Sequence, residues 1–346
     1  MNSASTPPAH WASLTGLPCQ APGFAAAMAT MGYRPVFMWD SAQGALVLVR
    51  GAFPGLRWLT ARANVFADSA EPEFVAEVLR ALKALGVSYV KVGDTMWGPR
   101  WEGLPPLWAF SRTNLIRRHT FTLDLGESDA ALLKGMDGAE RKIRKAEREG
   151  VVVRPVESPE DLQAFCSLAK QTSDRVRVRT AYTDFPSPFF EVTHRLLSPA
   201  GVARFYVAWF EDCPLAGCLF LCSSTTMLYY LGGSTRDRQL TAKQAPAAVF
   251  WHAIREARSL GFGKFDFGGC TPTADRDDSR YGVYAFKKGW GGALETFSNL
   301  EVILGAQQYY VQEHVLSPLW DRVHPLLFKL MNLRGSSGKL IKPDRF

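Results

Sequence analysis

The sequence predicts an α+β protein made of two similar layers, each a small antiparallel sheet followed by one helix and one further strand. Three observations predict it. The chain has 346 residues, more than one hydrophobic core usually serves, so two units are expected. Residues 71–93, EPEFVAEVLRALKALGVSYVKVG, and residues 247–268, AAVFWHAIREARSLGFGKFDFG, follow one plan of amphipathic helix, glycine, short strand and glycine. Directly before the second copy, residues 203–233 give three apolar runs parted by Glu211-Asp212-Cys213-Pro214 and by Ser223-Ser224-Thr225, the pattern of three antiparallel strands.

In the first half, apolar runs between Arg34 and Val49 read as a hairpin-like pair of strands. Phe74, Val75, Val78, Leu79, Leu82 and Leu85 then fall at helical spacing, and Val249, Phe250, Ala253, Ile254, Ala257 and Leu260 repeat the stripe in the second half. Gly86 and Gly261 suit helix C-termini, and Gly93 and Gly268, each seven positions further on, end the strands. Between the halves, GMDGAERKIRKAEREGVVVRPV (135–156) predicts a helix from Ala139 to Glu149, stopped by Gly150 and followed by a strand. The domain boundary is expected here: a flexible N-terminus at 1–16, a first domain at 17–138, a second at 139–333 with a C-terminal helix, and a tail at 334–346. Within the second, Pro159 to Thr172 and Pro188 to Leu197 read as helices flanking an arginine-rich loop, and Gln307 to Leu333 reads as helical.

Composition narrows the class. An apolar share of 47% with 21% charged residues is that of a globular chain and excludes general disorder. A formal net charge of +7 favours polyanionic partners, whether RNA, nucleotide diphosphates or an anionic membrane surface. Met1 to Thr15 lacks a cationic start followed by an apolar run, so no secretory signal is expected. Val315 to Leu333, the most apolar late stretch, is broken by Asp321, Arg322, His324 and Lys329, and no transmembrane segment is expected. Cys19, Cys166, Cys213, Cys218, Cys222 and Cys270 form no CxxC pair. Reduced cysteines in a cytoplasmic protein are the expectation, with no metal site.

Three segments carry chemistry. Arg141, Arg144, Lys145 and Arg148 share one face of the central helix, where phosphates could dock, although Glu140, Glu147 and Glu149 also allow an ion-paired solvated face. Arg175, Arg177 and Arg179 alternate, so an extended backbone would project them to one side, with Tyr182 nearby, as a diphosphate site or as a solvated surface strand. FDFGGCTPTADRDDSRYGVYAFKKGWGG (265–292) runs from a strand into glycines, a polar loop, and then Phe286-Lys287-Lys288 against a glycine-rich turn with Trp290. An aromatic followed by lysine there can stack a ring and neutralise a phosphate; a glycine-stabilised hairpin turn is the plainer alternative. Nucleophile elbow, P-loop and HExxH motifs are missing. His194 and His252 sit on expected helices and read as structural. Asp94 and Asp266, beside the ends of the repeated strands, are the better polar candidates, because strand ends open onto the cleft in such layers. Acyl transfer from an activated ester to an amine needs positioning, removal of the amine proton and oxyanion stabilisation, so no conspicuous triad is required.

At this point the residues resemble a family. RKIRKAEREGVVVRP, then FDFGG, a variable loop and YAFKKGWGG, are similar to the FemABX pattern, and CQAPGFAAAMATMGYRP (19–35) looks like its opening segment, where glutamine precedes a helix ending in glycine, aromatic, arginine and proline. The likeness covers about residues 17–305. It implies two tandem GNAT-like domains, the acyl-CoA N-acyltransferase fold. It also implies transfer of an amino acid from aminoacyl-tRNA to an amine of a peptidoglycan precursor, nucleotide- or lipid-linked, in the building of interpeptide bridges. On that pattern Phe286 contacts the acceptor end of the tRNA, Lys287 its phosphate or the developing oxyanion, with Lys288 beside it. Asp94 lies near the attacking amine, and Arg177 and Arg179 meet the precursor's diphosphate. No cofactor is implied, and peripheral contact with the inner membrane face is compatible with the C-terminal helix.

Two other readings compete. An acyl-CoA-dependent N-acyltransferase on the same fold would need a glycine-containing pyrophosphate turn before its helix; residues 236–251, RDRQLTAKQAPAAVFW, contain no glycine. A non-enzymatic protein that binds RNA or anionic membrane would use the basic helix and Trp320, Leu326, Leu327 and Phe328 of the C-terminal segment.

Overall fold

The computed structural model describes residues 1–51, 61–67, 71–93, 112–174, 185–273, 275–278, 280–316, 318, 319 and 323. Asp94, Arg177, Arg179 and Tyr182, the tail at 334–346 and most of the C-terminal segment lie outside the described residues.

In chain order the elements are β1 (Asn2–Ala4), α1 (Trp11–Leu14), α2 (Pro22–Ala29), β2 (Arg34–Trp39), β3 (Gly44–Gly51), β4 (Ala61–Ala67), α3 (Pro72–Ala84), β5 (Tyr89–Val92) and β6 (Arg112–Asp124). There follow α4 (Asp129–Gly135), α5 (Ala139–Arg148), β7 (Val152–Pro155), α6 (Pro159–Ser173), α7 (Ser187–Leu197), β8 (Ala203–Phe210), β9 (Cys213–Cys222) and β10 (Thr226–Ser234). The chain continues through α8 (Arg238–Thr241), α9 (Ala245–Ser259), β11 (Lys264–Cys270), α10 (Tyr281–Lys288), β12 (Ala293–Ile303) and α11 (Ala306–Val311).

The expected repeat is present in three dimensions. β2, β3 and β4 are antiparallel, α3 crosses over, and β5 returns parallel to β4. β8, β9, β10, α9 and β11 repeat this connectivity. α3 buries Phe74, Val75, Val78, Leu79 and Leu82 as one stripe, and α9 does the same with Val249, Phe250, Ala253, Ile254 and Ala257, so each helix seals one face of its own layer. Both helices stop alike: Val87 N donates to Leu82 O, and Phe262 N to Ala257 O. The intervening Gly86 and Gly261 have φ of +77° and +83°, left-handed values that glycine adopts without a Cβ clash.

The layers are not separate sheets. One sheet runs β1-β2-β3-β4-β5-β12-β6-β11-β10-β9-β8-β7. At its centre β6, from the N-terminal side of residue 138, pairs with β11 of the second layer, while β12, from the far end of the chain, pairs with β5 of the first. Those two strands pair with each other from Ala293↔Thr122 to Ile303↔Arg112. On the sheet face away from α3 and α9, Phe24, Leu46, Leu48 and Phe66 share one core with Phe165, Phe189, Phe205, Leu219 and Leu228. α2 meets α7 in this core, and a methyl on Gly23 would lie 2.7 Å from Leu197 Cδ2. The two layers therefore bury apolar area against each other, at roughly 25 cal/mol per Å².

Candidate functional site

The site grows from the end of β11. The parallel ladder between β10 and β11 covers Thr226↔Lys264, Met227↔Phe265 and Leu228↔Asp266 and stops there. Beyond it β10 bulges against β9 between Tyr229 and Leu231, and β11 bulges against β6 between Asp266 and Gly269. Gly268, at φ +79°, occupies that bulge, and a methyl there would lie 2.8 Å from Tyr229 O.

Lys287 reaches the bulge from α10. Its side chain is 5% exposed, and Nζ donates to Gly268 O and Gly269 O, each at 2.8 Å, with the Tyr229 ring centroid 5.7 Å away. Burial pushes its pKa down to about 8, an effect partly offset by the neighbouring Cys270 and Asp266. The ammonium is therefore mostly charged at neutral pH yet close to titration, and its bonds to described residues use two of its three N–H groups, so a third could serve an oxyanion or phosphate.

Phe286-Lys287-Lys288 forms the last turn of α10, followed by the glycine-rich turn that the sequence predicts and not by a hairpin. Helical geometry separates the three side chains. Lys287 points inward, Phe286 packs edge-on to Phe250 at 5.3 Å between centroids and against Trp290 at 6.1 Å, and Lys288 is exposed with Nζ 5.9 Å from the Tyr284 ring. Lys288 thus does not join the site. The glycines after α10 serve close backbone passage: methyls on Gly289, Gly291 and Gly292 would fall 2.9, 2.2 and 2.3 Å from the carbonyl oxygens of Asp137, Gly135 and Thr122.

Asp266 corrects a second expectation. It does not open onto a cleft; it is 4% exposed, accepts from Thr120 Oγ1 and accepts from Gly268 N at 2.8 Å. Burial raises its pKa to about 6 despite those hydrogen bonds and the nearby Lys287. Its place is beneath the bulge that holds Lys287.

On the helix side, Phe286 borders a cavity of about 240 Å³ lined also by Lys142, Ser234, Thr241, Gln244 and Ala245. It lies at the N-terminus of α9, where Gln244 takes a left-handed φ of +60°, no side chain caps the helix, Pro246 carries no N–H and Ala247 N donates to Gln244 O at 2.9 Å. Lys142, whose Nζ is 5.9 Å from the Phe286 ring, joins α5 to this cavity; the sequence reading singled out its neighbours instead. Of those, Arg144 is bonded to Glu140 through Nε at 2.9 Å, Arg141 faces solvent and Lys145 is half-buried. Of the two histidines, one ring nitrogen of His194 lies 2.9 Å from Val156 O, and His252 packs edge-on to Tyr206 beside Glu256. Among the described residues no His, Cys, Asp and Glu cluster suits a metal ion, and no helix is long and apolar enough to cross a membrane.

Duplicated sheet-helix-strand layers, and a ladder that ends beside a helix N-terminus, define a tandem GNAT-like protein. Residues 134–288 match the family model described as Acetyltransferase (GNAT) domain. Across 90% of this chain and 99% of the other, the fold superposes on a crystal structure of FemX with a TM-score of 0.66 at 18% identity. It also superposes on the C-terminal domain of a putative lysylphosphatidylglycerol synthetase from Agrobacterium fabrum, with a TM-score of 0.55, 14% identity and coverage of 83% and 90%. In sequence, 107 residues are 30% identical to the lipid II:glycine glycyltransferase of Staphylococcus aureus, and 29% identical to that of Staphylococcus epidermidis. The match takes in 30% of this chain and only 25% of either relative. The fold is that of tandem GNAT-like proteins, and these likenesses support the FemABX-type resemblance read from the sequence.

Proposed function

We propose that the protein transfers an aminoacyl group from aminoacyl-tRNA to an amine of a peptidoglycan precursor, as an acyltransferase acting in the cytoplasm. The observation that carries the reading is Lys287, a buried ammonium fixed by two carbonyls beside the end of the β10–β11 ladder. The amine nitrogen attacks the ester carbonyl, the ester C–O bond breaks, the tRNA hydroxyl leaves, and the amine gives up a proton. Lys287 supports the negative charge that develops on oxygen or on the adjacent phosphate; Asp94 keeps its role near the attacking amine. Phe286 and Lys142 receive the donor's end at the α9 cavity. The staphylococcal relatives named for lipid II support a precursor acceptor, and the reading assigns no cofactor.

The acyl-CoA alternative is favoured by the GNAT family match and by the uncapped α9 N-terminus. Against it, Gln244 stands left-handed where a glycine would let a pyrophosphate approach the backbone. Binding of charged tRNA and of acetyl-CoA to the purified protein at two salt concentrations separates the two. Salt-sensitive tRNA binding without CoA binding supports the aminoacyl donor; CoA binding alone overturns it. Lys287→Ala should lower transfer by about 10²–10³-fold, and full activity in that variant would sink the reading.

A further inference from the structure

We propose that Thr120 and Asp266 are positioning residues for Lys287: they clasp the Gly268–Gly269 bulge so that both of its carbonyls face the ammonium. The three groups come from different strands and helices and meet only through the central strand exchange. Asp266 sits on β11, Thr120 opposite the bulge on β6, and Lys287 on α10.

The geometry closes on itself. Gly268 N donates to Asp266 Oδ1 at 2.8 Å, which ties the amide of the left-handed residue to a side chain two positions earlier. Thr120 Oγ1 donates to the same carboxylate oxygen and lies 3.0 Å from Gly268 O. Asp266 thus fixes the peptide unit before Gly268 through its N–H, the Thr120 hydroxyl bonded to Asp266 lies against the unit after it, and Gly268 O and Gly269 O each accept from Lys287 Nζ at 2.8 Å. A carboxylate is costly to bury. A leucine, valine or asparagine would finish the strand at lower cost, so the acid earns its place by a charge that reaches the ammonium.

Other ionisable groups near the ammonium are few among the described residues. Cys270 on β11 and Tyr229 on β10 face it. His119 on β6 lies opposite Cys270 and contacts Thr296 through Nδ1. Glu295 on β12 faces Asp266 but is bonded to Thr122 and Lys264. Of these, only Asp266 contacts the bulge backbone through its side chain in the described hydrogen bonds.

The significance for catalysis rests on the acyl-transfer reading, whereas the clasp is testable without substrate. The experiment is an NMR titration of [13Cε]lysine-labelled full-length protein, with the Lys287 signal assigned by Lys287→Met. Asp266→Asn removes the charge while keeping the shape, and should lower the Lys287 midpoint by about one pH unit. Thr120→Val should lower it in the same direction, and Thr120→Ser, which restores the hydroxyl, should return it to the wild-type value. An unchanged Lys287 midpoint in both Asp266→Asn and Thr120→Val overturns the clasp, as does Thr120→Ser behaving like Thr120→Val. Should Asp266→Asn fail to fold, the Thr120 pair still decides. Shifted midpoints in a protein that transfers no acyl group would leave the clasp standing and remove the acyl-transfer reading.

Discussion

The amide of Asp137 donates to the carbonyl of Gly289 at 2.9 Å, and so the linker that opens the basic helix α5 is fastened to the turn that closes α10. The residues just beyond tighten the same seam. Gly291 has φ +77°, and a methyl on it would lie 2.2 Å from Gly135 O, so backbone strain and collision act together. Gly291→Ala should destabilise the fold by about 3 kcal/mol or more. A thermal or urea melt within about 0.5 kcal/mol of wild type would show that the seam gives way freely.

The last turn of α10 sorts its side chains by direction. Phe286→Ala should weaken donor affinity by about tenfold, through loss of a stacking face worth roughly 1–3 kcal/mol. Lys288→Ala, at an exposed position away from the bulge, should change transfer by less than about twofold. Equal losses in the two variants, measured as KM for the donor, would mean that the helix face is assigned wrongly.

Asp266 sets a pH dependence of stability. Its folded pKa of about 6 stands above the model-compound value of 3.8, so the folded state binds this proton more tightly than the unfolded chain does. The contribution is fully present below pH 3.8 and is lost as pH rises through about 6. About two units correspond to at most about 3 kcal/mol. Urea melts between those limits should therefore show a smaller pH-linked loss in Asp266→Asn than in wild type; parallel curves would contradict the burial of the charge.

Helix α5 offers a salt test. Arg144 is held by Glu140, whereas Arg141 faces solvent on the same helix. Arg141→Glu should weaken tRNA binding and reduce the slope of log affinity against log salt by about one. Arg144→Glu should do no less, since it both removes a cation and frees a carboxylate. Unchanged slopes in both would assign the helix to an ion-paired solvated face.

Much of each layer was legible because its signals are local. The stripe Phe74, Val75, Val78, Leu79, Leu82 and its counterpart in α9 obey helical spacing whatever surrounds them, and Gly86 and Gly261 are required by the left-handed turn itself. β4 escaped notice for an opposite local reason: Arg62 and Asn64 are polar yet buried, so the strand shows no apolar alternation. Phe286 and Lys287 were found by their type beside glycines, but the helix that carries them was hidden by the same glycines, whose purpose is backbone passage against residues 135–137 and 122.

The sequence alone determined the duplicated layer, the helix ends and the identity of the lysine, since each depends on residues a few positions apart. Tertiary structure decided the exchange of β6 and β12, the fusion of both layers into one sheet, and the fate of Asp266. Thr120 and Asp266 are 146 positions apart, and no local pattern of apolar spacing or turn chemistry reports which strand lies beside which. Pairing between distant strands is chosen by the burial of whole faces, so a carboxylate that looks free at a strand end becomes, once β6 is laid beside β11, the buried clasp of a neighbouring bulge.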